Sequence, residues 1–203
     1  MKIKTIGLLA IGLLFVSTAD ARQTINGCVI KRKTSCPGVD LSGKDLTRSN
    51  LSGADLAGAN LSGANMSADK ISEANLIKAN LSNANLSNAD LSESYMTNAD
   101  LSRANLAKAN LAQSTLLNAN LREANLSGAS FSMTNLNGAD LTDVNAKGAV
   151  FAMSSLRKAN LTRIDLTEAT LIGTDLREAI LDGAKFCKTT MPDRSINNSG
   201  CGK

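Results

Sequence analysis

Four cysteines and a complete lack of histidine limit the chemistry open to this chain of 203 residues. The cysteines, Cys28, Cys36, Cys187 and Cys201, allow three pairings into disulfides, or four thiolate ligands for one zinc ion. Histidine is the usual general base, the usual partner of a serine or cysteine nucleophile and the commonest metal ligand. We therefore predict that the protein is not an enzyme and has no catalytic residues, metal site or cofactor.

The composition indicates how the interior is built. Hydrophobic residues make up 43% of the chain, which is enough for a core, but aromatic residues make up only 2%. The core must therefore be aliphatic, and the chain lacks the aromatic platforms on which single-stranded nucleic acids stack.

Residues 1–21 are typical of a secretory signal peptide. Lys2 and Lys4 precede an apolar run over residues 6–16, and Ala19 and Ala21 form a small-x-small cleavage pattern. The run is shorter than the roughly 20 residues that span a bilayer, which argues against a membrane anchor. Cleavage after Ala21 would lower the net charge from +4 to +3 and leave no membrane span. We expect an exported protein, periplasmic or secreted.

A five-residue repeat governs the chain from residue 41 to residue 191. Every fifth residue is Leu, Ile, Met or Phe, except Ala146. A helix would rotate by about 140° net at each step, and a flat strand would turn successive centres to opposite faces. The pattern predicts a short extended piece with two inward residues, then a corner of polar or small residues such as Ser52-Gly53.

The number of sides follows from substitutions at the inward alanine position. Hydroxyl residues replace alanine at five successive 20-residue steps, which predicts that four pentapeptides make one coil with these hydroxyls bonded to nearby backbone: Ser94, Ser114, Thr134, Ser154 and Thr174. The repeats then form about 7 to 8 four-sided coils, stacked into a rod on the order of 37 Å long.

With its A-(D/N)-L-x-x units, the chain resembles the pentapeptide-repeat family over residues 39–191. The resemblance implies an all-β fold, a right-handed quadrilateral β-helix. Residues 22–38 would then form an N-terminal cap segment and residues 192–203 a C-terminal cap or tail.

The rod restricts the cysteine pairings. Its ends are roughly 30 Å or more apart, whereas the Cα atoms of a disulfide lie about 4.4 to 6.8 Å apart. Only Cys28 with Cys36, and Cys187 with Cys201, can pair within one molecule, and one zinc ion cannot collect all four. Such bridges suit an exported chain and would protect the open ends of a coil.

The charges show no surface suited to nucleic acid. The repeat body is slightly negative, and positive residues gather at the ends, among them Lys31, Arg32 and Lys33. We count Asp69 with the surface charge of the Leu51 wall, the side of the coil whose inward centres are residues 51, 71, 91, 111, 131, 151, 171 and 191. No wall has a basic stripe, so no nucleic-acid partner is expected.

One outward cluster on the Leu51 wall is apolar, which predicts a candidate partner patch. Its members fall on neighbouring coils: Met133, Val150, Ala152, Met153 and Ile172.

These observations predict a non-enzymatic exported rod that binds an unknown protein partner in the envelope, and they leave its oligomeric state open. One alternative comes from the resemblance: some pentapeptide-repeat proteins that confer quinolone resistance bind DNA gyrase as mimics of DNA. The export signal and the positive mature charge argue against it. A second alternative is binding to ice or polysaccharide through the outward ladder that begins at Ser42, Ser62 and Ser82, which Arg122 interrupts.

Overall fold

A computed structural model describes residues 23–202, and the predicted signal peptide lies outside these residues. The described part begins with an antiparallel hairpin of β1 (Thr24–Ile25) and β2 (Cys28–Val29). It ends with a second antiparallel hairpin of β3 (Thr189–Thr190) and β4 (Ile196–Asn197). Residues 23–202 include no helix that is long and apolar enough to cross a membrane.

Between the hairpins the chain is a β-helix solenoid held by single parallel bridges. Each bridge joins residues that are 20 positions apart, from Ser35 with Asp55 to Thr170 with Thr190. Four five-residue units therefore separate the two members of every bridge. Because the chain turns every five residues, each extended piece is long enough for only one bridge.

Each corner is a four-residue turn closed by one backbone hydrogen bond. At residues 51–54 the N–H of Ala54 donates to the carbonyl of Leu51 at 2.9 Å, and Gly53 adopts a φ of 67°. The same third position is taken by Glu73 and Lys108, with φ of 59° and 58°. Left-handed backbone is usually left to Gly or Asn. Here the stacked turns hold long charged residues in it at one corner after another.

The Asn or Asp that precedes most centres stabilises the corner and the stack together. The Asn85 side-chain oxygen accepts the N–H of Ser87 at 3.2 Å, and its amide donates to Asn65 at 3.0 Å, one coil back. The amide chain continues through three more coils, at 3.2, 3.1 and 3.2 Å, to Asn105, Asn125 and Asn145. These side chains thus satisfy turn N–H groups and tie successive coils to each other.

Leucine side chains fill the axis of the coil, and Leu101 and Leu106 have 0% of their surface exposed. Phe131 and Phe151 stack one coil apart, with ring centroids 5.1 Å apart. Ala146 and Val144 are buried in the same region, which fits an exchange of volume around the larger Phe151.

The hydroxyl column is buried and bonded to backbone, as the 20-residue steps predict. The Thr134 hydroxyl donates to the Leu111 carbonyl at 2.7 Å, and Thr174 donates to the Phe151 carbonyl at 2.7 Å. Ser114 donates within its own turn, to the Leu111 carbonyl at 2.6 Å. Each hydroxyl thereby avoids the free-energy cost of an unpaired polar group in the core.

Replacing Leu101 by Ala should lower the free energy of unfolding by about 2 to 5 kcal/mol, because the stacked coils cannot close the cavity. Leu176→Ala is the matched control, since Leu176 in the last coil is only partly buried. Urea unfolding followed by circular dichroism measures both. Equal losses for the two variants would contradict a closely packed axis.

Candidate interaction surface

Disulfide bonds fasten both ends of the solenoid. Cys28 bonds to Cys36 with Cα atoms 5.7 Å apart, next to the first hairpin. Cys187 bonds to Cys201 with Cα atoms 4.6 Å apart, beside β3 and β4. Each bridge ties a terminal segment to an end coil, where the sheet edges have no further coil to pair with.

The patch residues of the Leu51 wall are contiguous. The N–H of Met133 donates to the Ala152 carbonyl at 2.9 Å, and the N–H of Met153 donates to the Ile172 carbonyl at 2.8 Å. Val150 forms parallel bridges with the residues before and after it in its column. Met133 is 50% exposed and Met153 is 64% exposed, while the other three members are partly exposed.

The support beneath the patch is rigid. The buried rings of Phe131 and Phe151 lie at the inward centres of the same two coils. Met153 lies over the bare backbone of Gly173, where a side-chain carbon would come within 3.5 Å of Met153 Cγ. The thioethers of Met133 and Met153 therefore lie on closely packed coils, and the Met153 side chain extends over the next coil.

The patch lies within a longer strip without charge. Along the Leu51 wall, outward positions between Glu93 and Asp193 are all uncharged, and all of them belong to the part of the chain that the structure describes. The strip reads Asn110, Ala112 and Gln113, then Ser130, Ser132 and Met133, then Val150, Ala152 and Met153, then Thr170, Ile172 and Gly173, then Thr190 and Pro192. Apolar residues alone indicated the patch in the sequence, whereas the strip becomes visible only when coils are stacked.

Elsewhere on the surface, opposite charges pair between neighbouring coils. Arg163 contacts Asp143 with two hydrogen bonds of 2.6 Å, one coil back along the same corner. This guanidinium holds the pKa of the Asp143 carboxyl below its usual value. Arg103 with Glu123, and Lys188 with Glu168, repeat the arrangement at 3.1 and 3.6 Å. Such exposed pairs contribute little stability, but they leave less net field for steering a charged ligand.

Asp69 is the exception to the sequence-based assignment of surface charge. It occupies the inward alanine position and is only 1% exposed, so counting it with the outer charge of the Leu51 wall was wrong. The Ser49 hydroxyl donates to Asp69 Oδ2 at 3.0 Å, while Oδ1 has no hydrogen-bond partner among residues 23–202. Loss of water around the carboxyl raises its pKa to about 6.

The chain is similar to known repeat proteins. The family model described as pentapeptide repeats matches this chain with 8 copies of the repeat, over residues 36–67, 70–106, 104–143 and 154–191. HetL, a pentapeptide repeat protein involved in heterocyst differentiation regulation in the cyanobacterium Nostoc sp. strain PCC 7120, has 30% identity over 80% of this chain and 91% of its own, with a TM-score of 0.35.

Two further solved structures are similar. A pentapeptide repeat protein of the Arabidopsis thaliana thylakoid lumen has 38% identity over 53% of this chain and 65% of its own, with a TM-score of 0.23. The plasmid-mediated fluoroquinolone resistance protein QnrB1 has 20% identity over 73% of this chain and 92% of its own, with a TM-score of 0.45. No curated protein sequence matched the chain.

Asp69→Ala should remove a pH-dependent weakness of the core. Because burial raises the pKa of Asp69 from 3.8 to about 6, the folded state binds this proton more tightly than the unfolded state. Protonated Asp69 therefore makes its whole contribution to the free energy of unfolding below about pH 4. That contribution falls by on the order of 2 to 3 kcal/mol as the pH rises through 6.

Urea unfolding of the parent and of Asp69→Ala between about pH 4 and pH 7 measures the difference. Asp69→Asn is the matched control, since it keeps a polar group beside Ser49 and cannot titrate. We expect both variants to gain stability relative to the parent as the pH rises. A constant difference across this range would contradict the raised pKa.

Proposed function

This chain belongs to the pentapeptide-repeat family, and we propose that it is an exported, non-enzymatic interaction module: a rigid β-helical rod that binds a protein partner through the patch on its Leu51 wall. The observation that carries the proposal is the contiguous apolar patch, set in an uncharged strip on a stiff wall.

The rod has the right-handed, four-sided form of the family in this proposal, with about 7 to 8 coils. The constant interval of 20 residues between bridged positions supports four sides, and the handedness comes from family membership. In this proposal residues 22–38 and 192–203 are the caps of the repeat body at 39–191, and each end of the chain carries one disulfide.

We favour surface binding over catalysis, because the polar side chains form hydrogen bonds within the turns of the coil. The Ser92 hydroxyl donates to Asp90 at 2.7 Å, and Asp90 also accepts the N–H of Ser92 at 3.2 Å. Thr162 and Asn160 repeat the arrangement at another corner. A hydroxyl committed to its own turn is a poor nucleophile, since activation needs an adjacent general base.

Export is supported by the cysteines. Disulfides persist in secreted and periplasmic proteins and are rare in reducing compartments. All four cysteines of the chain are joined in the two bridges of residues 23–202. Together with the predicted signal peptide, this directs the search for the partner to the envelope or the medium.

The partner should present an apolar surface of similar flatness. Methionine side chains adapt their shape to what they contact, so Met133 and Met153 can fill small gaps at such an interface. The rigid coil beneath loses little conformational entropy on binding, which favours affinity from a small contact area.

Met153→Asp should abolish co-purification of a partner from envelope extracts while leaving the fold intact, because a charge at the centre of an apolar contact must be desolvated. Asn83→Asp is the matched control: it adds the same charge at the same exposed turn position on another wall, with a φ of 58° compared with 56° at Met153. Affinity capture followed by mass spectrometry reads the result. Capture of the same proteins by both variants would remove the patch from the account.

A further inference from the structure

The charges that border the uncharged strip identify a specific partner, an inference that rests on the proposed function of the patch. We propose that the Leu51 wall binds the Leu51 wall of a second copy of this chain, with the two rods antiparallel. The two-fold axis would cross the wall between the coils of Met133 and Met153.

The charges along one border of the Leu51 wall are arranged symmetrically about the proposed axis. We call leading edge the turn residues that come just before the Leu51 wall, which are Lys108, Gly128, Gly148, Glu168 and Lys188 in consecutive coils. Lys108 and Glu168 lie at equal distances on either side of the glycine pair. In an antiparallel pair of walls, leading edge meets leading edge in reverse order, so Lys108 of each copy faces Glu168 of the other. One contact of opposite charges thus becomes two by symmetry.

Lys108 is available for such a contact. Within residues 23–202, no carboxylate lies within ion-pair distance of its ammonium group. In the same part of the chain Glu168 forms one ion pair, with Lys188 at 3.6 Å, and the side chains of Glu168 and Lys188 are mostly exposed, at 62% and 71%. Glu168 can therefore turn to a second cation at little cost.

The glycines at the middle of the leading edge allow close approach. Their positive φ does not by itself demand glycine, because the same column accepts Lys108 and Glu168 at φ of 58° and 60°. No atom lies within 4 Å of where a Gly148 side chain would begin, whereas Lys108 Cγ lies 3.5 Å from the same point at Gly128. The missing side chain at Gly148 lowers the edge beside the proposed axis, where two backbones must come nearest.

The trailing edge, the turn residues that follow the wall, is compatible with this register near the axis. Met133 of one copy meets Met153 of the other, which puts both exposed thioethers in apolar contact. Gln113 meets Gly173. At the end of the strip Glu93 meets Asp193, which is a like-charge contact and the unfavourable point of this register, and the basic Arg194 lies next to it.

Other registers leave charges without partners. With parallel rods, leading edge meets trailing edge in the same coil, and Met133 lies over Gly128, but Lys108 faces Gln113 and Glu168 faces Gly173. Lys108 would then be partly desolvated without an opposite charge, which costs free energy, and Glu168 would keep only its exposed pair with Lys188. If the two-fold axis of the antiparallel pair moves by half a coil's spacing toward the C-terminal end, Lys108 faces Lys188. This contact between like charges is repulsive. The contact spans only about four coils spaced by roughly 4.8 Å, so the dimer should be weak and concentration-dependent.

A charge exchange between two single variants tests the proposal. Sedimentation equilibrium of the oxidised exported chain, over a series of concentrations at low salt, gives the dimer dissociation constant. We expect Lys108→Glu and Glu168→Lys each to weaken self-association at least tenfold, since each creates two like-charge contacts. An equimolar mixture of the two variants should recover the parent's association, because every contact in the mixed dimer again joins opposite charges.

The outcomes separate this inference from the proposed function. A parent chain that stays monomeric, or a Lys108→Glu variant that associates as well as the parent, overturns the antiparallel dimer. So does a mixture that fails to recover. If a different protein is nevertheless captured by the parent and lost with Met153→Asp, the proposed function of the patch stands without the dimer. Recovery in the mixture, with loss of association in Met153→Asp, supports both.

Discussion

The unbroken five-residue period is the constraint on which the whole structure depends. Each unit places one large aliphatic centre and one small residue inward, and each turn closes with an N–H to carbonyl bond such as Ala54 to Leu51. Because no unit between residues 41 and 191 gains or loses a residue, every bridge joins positions 20 apart. One inserted residue would turn the following centres away from the axis and remove their leucines from the core.

The same constraint arranges the surface. Stacked coils turn sequence intervals of 20 into columns, so a residue's neighbours on the outside are fixed by arithmetic rather than by loop conformation. The charge pairs from Arg103 to Glu123 and from Arg163 to Asp143 are products of this rule, and so is the uncharged strip of the Leu51 wall. A surface built in this way suits recognition of another surface better than enclosure of a substrate, since substrate sites are usually concave.

Much of this could be predicted because the period is so regular. The coil follows from the five-residue spacing, and the interval of 20 and the buried hydroxyl column follow from the Ser and Thr substitutions at the inward alanine position. The resemblance to the family gives the β-helix, and the end-to-end distance restricts the cysteine pairings. The rest depends on contacts that spacing does not describe. Lys108 and Glu73 at left-handed turn positions contradict local propensity, which the stacked hydrogen bonds override. The amide chain from Asn65 to Asn145 requires knowing where each amide points, and Asp69 was misjudged because its charge, rather than its inward position, guided the assignment.

The proposal that the partner lies outside the cytoplasm depends most directly on export of the chain with both ends bridged by disulfides. The intact mass of the protein from its own cells, measured with and without reduction and alkylation, tests this claim in one experiment. The account predicts a chain that begins at Arg22 and takes up the alkylating agent at four cysteines only after reduction. A chain that begins at Met1 and reacts at four thiols without reduction would contradict it, and would return the search for a partner to the cytoplasm.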